Sequence, residues 1–225
     1  MVASPAIVIS AFDRPRSLER LLNRLTKAIY SRSDIPLVIS IDGGGDDEVL
    51  KMATEFEWLN GTKEVIHHPS NFGLKEHIIT CGDLTSRFGQ VIVIEDDLGV
   101  SPYFYDFALK SLDAYADVED VAGISLYAYK VSEDGFNDFQ PIEDGKDVYL
   151  MQIASSWGQI WTRDQWSGFK SWLGLGAMVD KPTPDYLDSW SNQSWKKLFI
   201  KYLIQKDKWF VFPRVSLTTN YEDAG

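Results

Sequence analysis

Apolar residues fall along this chain in two rhythms. Unbroken apolar runs, several of them β-branched, read as strands buried on both faces. Apolar residues spaced by three and four read as amphipathic helices. The runs Ala6-Ile7-Val8-Ile9-Ser10-Ala11, Pro36-Leu37-Val38-Ile39-Ser40-Ile41, Glu64-Val65-Ile66, Val91-Ile92-Val93-Ile94 and Val121-Ala122-Gly123-Ile124-Ser125-Leu126 predict successive strands. Between them, Leu18, Leu21, Leu22 and Leu25 keep helical spacing, and Asp46 opens a helix toward Trp58 with acids in its first turn. Residues 74–87 read as a helix, and Phe104, Phe107, Leu109 and Leu112 mark another. Strands separated by helices predict an α/β domain with a mostly parallel sheet flanked by helices.

The second half loses this rhythm. Residues 127–147 are rich in Gly, Asp and Glu and read as a long irregular excursion, a kind of segment that often carries function. Residues 157–172 are aromatic-rich and mixed, and residues 178–188 carry two prolines and read as loop. Trp195, Leu198, Phe199 and Tyr202 mark a helix over 193–205. Trp209-Phe210-Val211-Phe212 reads as a strand, and residues 215–219 as a candidate further strand. There is no internal repeat or linker, so the expectation is one domain over 1–225, with a regular half over 1–126 and an irregular, aromatic-rich half over 127–225.

Composition narrows the function. A chain of 225 residues with 44% hydrophobic and 24% charged residues is ordinary for a globular protein with a sizeable core. A net charge of −11 argues against a nucleic-acid partner. It leaves room for an anionic small molecule, because a bound metal supplies positive charge locally. The one cysteine, Cys81, excludes an internal disulfide and reads as a core residue. No apolar run approaches a membrane span and no signal peptide is visible, which makes the cytoplasm the default expectation. Eight Trp and ten Tyr are many for this length; such rings stack well on sugars, although most are expected in the core.

The strongest chemical signal is Glu95-Asp96-Asp97, which directly follows the run Val91-Ile92-Val93-Ile94. The carboxyl edge of a sheet is where α/β proteins bind ligands. Oxygen ligands of this kind suit Mg²⁺ or Mn²⁺ held against a diphosphate. Alternation along a strand places Glu95 and Asp97 on one face and Asp96 on the other. The plain alternative is an acidic turn before a helix beginning near Pro102. Two other strand ends, Ala11-Phe12-Asp13-Arg14 and Asp42-Gly43-Gly44-Gly45, converge on the same edge. Each alone reads equally as a helix cap or tight turn, but together they mark a nucleotide-shaped crevice. The absence of Gly-x-x-x-x-Gly-Lys-Ser/Thr and of Gly-x-Gly-x-x-Gly argues against an ATPase or a dinucleotide oxidoreductase.

The succession of Ala6–Phe12, Ser40-Ile41-Asp42-Gly43, Asn71-Phe72-Gly73 and Val93-Ile94-Glu95-Asp96-Asp97 resembles GT-A-fold glycosyltransferases, both bacterial sugar transferases and the animal N-glycan β-1,2-N-acetylglucosaminyltransferase family. Pro102-Tyr103-Phe104 after the acids, Ser155-Ser156-Trp157-Gly158-Gln159-Ile160-Trp161 with Trp166, and Phe212-Pro213-Arg214-Val215-Ser216-Leu217-Thr218-Thr219-Asn220 extend the resemblance over essentially the whole chain. It implies a GT-A-type domain that binds nucleotide through residues 1–126 and acceptor through 127–225. The implied activity is inverting transfer of a sugar, from a UDP-sugar by preference, to a hydroxyl acceptor in bacterial glycan or surface-polysaccharide assembly. The acceptor would be a glycan or lipid-linked, which allows peripheral association with a membrane-bound acceptor.

Roles follow by resemblance. Asp97, with Glu95, would ligate Mn²⁺ or Mg²⁺, and Asp96 would reach the ribose or bridge to the metal. Asp42 would accept from the imide of a uracil-like base. Ala11, Phe12 and Arg14 would line the base and ribose pocket. Lys75 would approach the diphosphate, with a solvated helix lysine as the alternative. Trp157 and Gly158 would shape the donor-sugar and acceptor pocket. Relatives place the general base on a late Ser-Trp-Asp segment, but here Ser194-Trp195 is followed by Lys196, and a protonated lysine cannot take a proton. Asp188 is the nearest upstream acid and the candidate base, with Glu222 and Asp223 as further options. His67, His68 and His77 read as structural. A non-catalytic glycan- or nucleotide-binding module and a sugar nucleotidyltransferase are the rival readings. Related transferases continue past the equivalent of Gly225 with a metal-completing His and a closing segment, so the expectation is a truncated chain that binds weakly.

Overall fold

The computed structural model describes residues 4–133 and 137–221. The elements follow in the order β1 (Ala6–Ala11), α1 (Pro15–Thr26), β2 (Leu37–Ile41), α2 (Asp47–Glu55), β3 (Lys63–His67), α3 (Gly73–Asp83), α4 (Thr85–Phe88), β4 (Gln90–Glu95), β5 (Leu98–Val100) and α5 (Phe104–Tyr115). Then come β6 (Val121–Ser125), β7 (Val148–Met151), β8 (Gln159–Thr162), α6 (Arg163–Gly174), a 3₁₀ turn (Asp185–Ser189), α7 (Trp195–Gln205), β9 (Trp209–Pro213) and β10 (Thr218–Asn220). Pro15 starts α1 with its fixed φ, the Asp46 carboxylate accepts from the Glu48 amide at the start of α2, and Thr162 and Gln165 close a reciprocal capping box on α6.

The central sheet runs β3-β2-β1-β4-β8-β6-β9-β7. Its first four strands are parallel, as the alternation of strands and helices predicts. The second half departs from that pattern: β8 inserts antiparallel between β4 and β6, and β7 closes the edge antiparallel to β9. A separate two-stranded ribbon pairs β5 with β10.

Both faces are covered, which is why β1, β2 and β4 read as continuous apolar runs. Ile7, Ile9, Ile92 and Ile94 pack under α1, α2 and α5. Ala6, Val8, Val91 and Val93 pack under α3, α6 and α7. That second layer is aromatic: the Phe199 ring lies 4.5 Å from Phe169, 5.7 Å from Trp161 and 5.7 Å from Phe210. Trp161, Trp166, Trp172 and Trp195 are all buried there, so these tryptophans serve the core, as does Cys81. The predicted helix over 74–87 breaks at Leu84 into α3 and α4. The predicted loop over 178–188 contains the start of the 3₁₀ turn.

Candidate functional site

The strand order places the carboxyl ends of β2, β1 and β4 side by side, with Ile41 opposite Ala11 and Ser10 opposite Glu95. The three candidate loops therefore meet at one edge. Alternation sends Glu95 to the same side as Val91 and Val93, toward the α3–α7 layer, where its charge acts on Cys81 and Lys196. Burial pushes the Glu95 pKa up to about 8; Asp97 and Asp96 add to the rise, while Arg14 and Lys196 oppose it.

The expected split of the triplet, with Asp96 facing away from Asp97, does not hold. β4 ends at Glu95 and the chain turns before β5, so strand alternation stops there. Asp96 and Asp97, both buried, converge on one guanidinium: Arg14 forms an ion pair with Asp96 and donates to Asp97 Oδ2 at 2.8 Å. The Phe12 amide donates to Asp96 at 3.4 Å. Arg14 thus neutralises the acid pair. On the far side, Asn220 on β10 donates to Asp97 Oδ2 at 3.4 Å, and the Tyr221 amide donates to the Asp97 carbonyl at 3.3 Å.

Among the described residues, no group of three or more His, Cys, Asp or Glu is placed to hold a metal ion by itself. The donor set nevertheless fits a phosphate-bridging cation. Asp97 Oδ1 is buried and has no hydrogen-bond partner among the described residues. Mg²⁺-type ions are held by one or two carboxylates, with phosphates and waters completing the shell.

Asp42 is a buried anchor. Its Oδ1 accepts from the amides of Gly43 at 3.0 Å and Phe72 at 2.8 Å, and its Oδ2 accepts from the Gly73 amide at 3.0 Å. One carboxylate therefore ties the glycine loop to the Asn71-Phe72-Gly73 turn, which fits the turn reading of this residue and leaves Oδ2 with acceptor capacity. The glycines are needed for close approach: a Cβ on Gly45 would lie 2.2 Å from the Phe12 carbonyl oxygen, and one on Gly43 would lie 2.4 Å from the Ser70 backbone. Lys75, on the first turn of α3, pairs with its neighbour Glu76 at 3.2 Å.

Behind this edge His77 sits between two hydroxyls, with Nδ1 3.2 Å from Ser10 Oγ and Nε2 2.9 Å from Ser40 Oγ. Burial lowers its pKa to about 4; Asp42 opposes the shift and His68 adds to it. An unfolded histidine takes up its proton near pH 6.5 and this one only near 4. Between those values the unfolded state binds more protons, so stability falls as the pH drops. The expected loss from this group is on the order of 2–3 kcal/mol between pH 7 and pH 4.5. Urea midpoints of wild type and His77→Gln at both pH values test this: the variant should lose less on acidification, and an identical loss in both proteins refutes the assignment.

The irregular half contributes Trp157, whose ring meets Tyr127 at 4.4 Å in an edge-on contact. Gly158 holds a left-handed φ of 91°, and its carbonyl accepts from the Leu126 amide at 2.9 Å. Tyr127, Tyr129, Glu133, Trp157 and Lys196 line a cavity of about 210 Å³. Asp188, the candidate base, lies exposed in the 3₁₀ turn. The acid that meets Lys196 is instead Glu133, from the irregular excursion. Glu222 and Asp223 lie outside the described residues. A larger cavity of about 950 Å³ lies elsewhere, between α5 and residues 139–151, lined by groups such as Lys110, Ile142, Tyr149 and Arg214 and remote from the acid edge. Among the described residues, no helix is long and apolar enough to cross a membrane.

No protein-family profile matches the sequence, and no curated protein sequence matches it. Solved structures do. S. aureus TarS 1-349 superposes with a TM-score of 0.61 at 14% identity, over 95% of this chain and 59% of that one. The same protein in complex with UDP-GlcNAc superposes with a TM-score of 0.61 at 12% identity, over 98% of this chain and 59% of that one. The mannosyltransferase PcManGT from Pyrobaculum calidifontis, in complex with GDP-Man and Mn²⁺, gives a TM-score of 0.52 at 13% identity, over 77% of this chain and 47% of that one. The chain thus spans about half to three-fifths of the length of these structures. At such identities the likeness is one of fold: this chain has a glycosyltransferase fold, a large mixed sheet flanked by helices.

Proposed function

We propose that the chain binds a nucleotide-sugar, by preference a UDP-sugar, at the β1–β2–β4 edge and transfers the sugar to a hydroxyl acceptor with inversion. The observation that carries this reading is Asp97 Oδ1, a buried carboxylate oxygen without a partner among the described residues, at the carboxyl edge of a glycosyltransferase fold. Asp97 would hold Mn²⁺ or Mg²⁺, with Glu95 as the further candidate ligand. A cation bound there supplies Lewis-acid neutralisation of the charge that develops on the departing diphosphate. Arg14 keeps Asp96 and Asp97 side by side and adds fixed positive charge at the same place. Phe12 and the glycine loop wall the base pocket beside Ala11, and the spare capacity of Asp42 Oδ2 would favour an imide N–H over the amino group and ring nitrogen of cytosine. Lys75, on the first turn of α3, would supply a cation to the diphosphate. The relatives in fold that hold UDP-GlcNAc, or GDP-Man with Mn²⁺, support this choice of ligand class. Tyr127, Trp157 and Gly158 would face the sugar and the acceptor, a glycan or lipid-linked molecule of bacterial glycan assembly.

Melting temperatures with UDP, CDP and GDP, each with Mn²⁺ and with a chelator, test the reading. UDP with Mn²⁺ should stabilise most. Equal shifts with and without metal overturn the metal assignment. No shift with any nucleotide overturns the function.

A further inference from the structure

Resting on the transferase reading, we propose that Glu133 is the general base that takes the acceptor's proton, and that Lys196 is the residue that positions it. An acid is expected at position 196 by resemblance, and a lysine stands there. In the structure that lysine is paired with a carboxylate from the irregular excursion. Lys196 Nζ forms an ion pair with Glu133 Oε1, across 63 residues of sequence. The two side chains are only 14% and 18% exposed, so the pair is held in the fold rather than on its surface.

The cation is placed from several sides. It lies 5.1 Å from the Trp190 ring centroid and 5.5 Å from that of Tyr129. Ser194 caps α7 just before it, accepting from the Lys197 amide at 3.2 Å. Glu95 at the end of β4 also acts on its charge. Burial lowers the Lys196 pKa, and Glu133 opposes that shift, as an ion pair must.

Glu133 also lines the 210 Å³ cavity, next to the Tyr127–Trp157 ring pair. That volume lies below the roughly 300–1,000 Å³ of a whole-ligand pocket, so the cavity suits one group of an acceptor, such as a ring edge bearing a hydroxyl. A carboxylate has about four acceptor sites, so one that already binds an ammonium can still receive a hydroxyl. Asp188, by contrast, is exposed.

The step balances without a further reagent. The acceptor O–H gives its proton to the Glu133 carboxylate as its oxygen forms a bond to the anomeric carbon. The bond from that carbon to the diphosphate oxygen breaks, and its electron pair leaves with the nucleoside diphosphate. Glu133 then releases the proton to solvent. Lys196 fixes the direction of Glu133 beforehand.

The test measures turnover of a UDP-sugar panel with Mn²⁺, using water and methyl glycosides as acceptors, alongside the UDP-induced melting shift. Glu133→Gln should keep the UDP shift and lose turnover by about 10²–10⁴-fold, the usual contribution of a general base. Glu133→Asp should restore part of it. Lys196→Met should lower kcat more than it changes KM for the donor and should leave the UDP-induced melting shift in place, because it frees the direction of the base without touching the nucleotide. Turnover by Glu133→Gln within threefold of wild type overturns the proposal. So does a loss of turnover that merely tracks lost thermal stability equally in all three variants, since that describes a structural ion pair. A wild-type chain that shows the UDP shift but no turnover of any donor also overturns it. If wild type shows neither shift nor turnover, the transferase reading fails first and takes the base assignment with it.

Discussion

Asp97→Asn is expected to abolish the metal-dependent part of nucleotide binding while leaving the fold intact. Asparagine keeps a carbonyl oxygen for Arg14 and Asn220, so the local hydrogen bonds survive in weakened form. It removes the negative charge and the free carboxylate oxygen that a divalent cation needs. In wild type, UDP with Mn²⁺ at a hundredfold excess over Kd should add about 2.7 kcal/mol of stability. For a chain of this length that is a rise in Tm of roughly 5–10 °C. The variant should show only the smaller shift seen in chelator. Turnover should fall by about 10³-fold, because several kcal/mol of leaving-group stabilisation are lost. A variant that keeps the full Mn²⁺-dependent shift places the cation elsewhere.

The largest effect on stability is expected at Phe199. Its ring is fully buried and touches Trp161, Trp166, Phe169, Trp195, Tyr202 and Phe210. Phe199→Ala leaves a cavity that rigid neighbouring rings cannot collapse to fill, at a cost of about 3–5 kcal/mol. Urea unfolding should show it as a lower midpoint at unchanged slope. Leu59→Ala, at an 84% exposed position, is the control and should stay within roughly 0.5 kcal/mol of wild type. A Phe199→Ala loss under about 1 kcal/mol contradicts the packing described for α7. Because α7 also carries Lys196, loosening this cluster should reduce turnover before the chain unfolds.

Sheet elements were readable where burial is two-sided and continuous. Val91-Ile92-Val93-Ile94 has no polar interruption, and it is the middle of β4. Gln159-Ile160-Trp161-Thr162 is equally buried as β8, yet four mixed residues beside an aromatic-rich helix show no period that separates strand from helix. Leu98-Gly99-Val100 is three residues long and is a strand only because β10 returns to pair with it. Cap chemistry was legible at Asp46, because an acid in that position satisfies amides two residues away whatever the rest of the chain does.

The candidate site divides in the same way. That Asp42, Arg14 and Glu95-Asp96-Asp97 lie at one edge follows from the sequence, because buried strands alternating with helices put every such loop at the carboxyl end. What those side chains hold was decided by tertiary structure. Arg14 reaches Asp97 across 83 residues, and Glu133 reaches Lys196 across 63, from a segment with no periodicity to signal its path. Local pattern determines strand, helix and loop because burial and capping act over a few residues. Which carboxylate meets which cation depends on the strand order and on where the irregular excursion is laid, and those are settled only when the whole core packs at once.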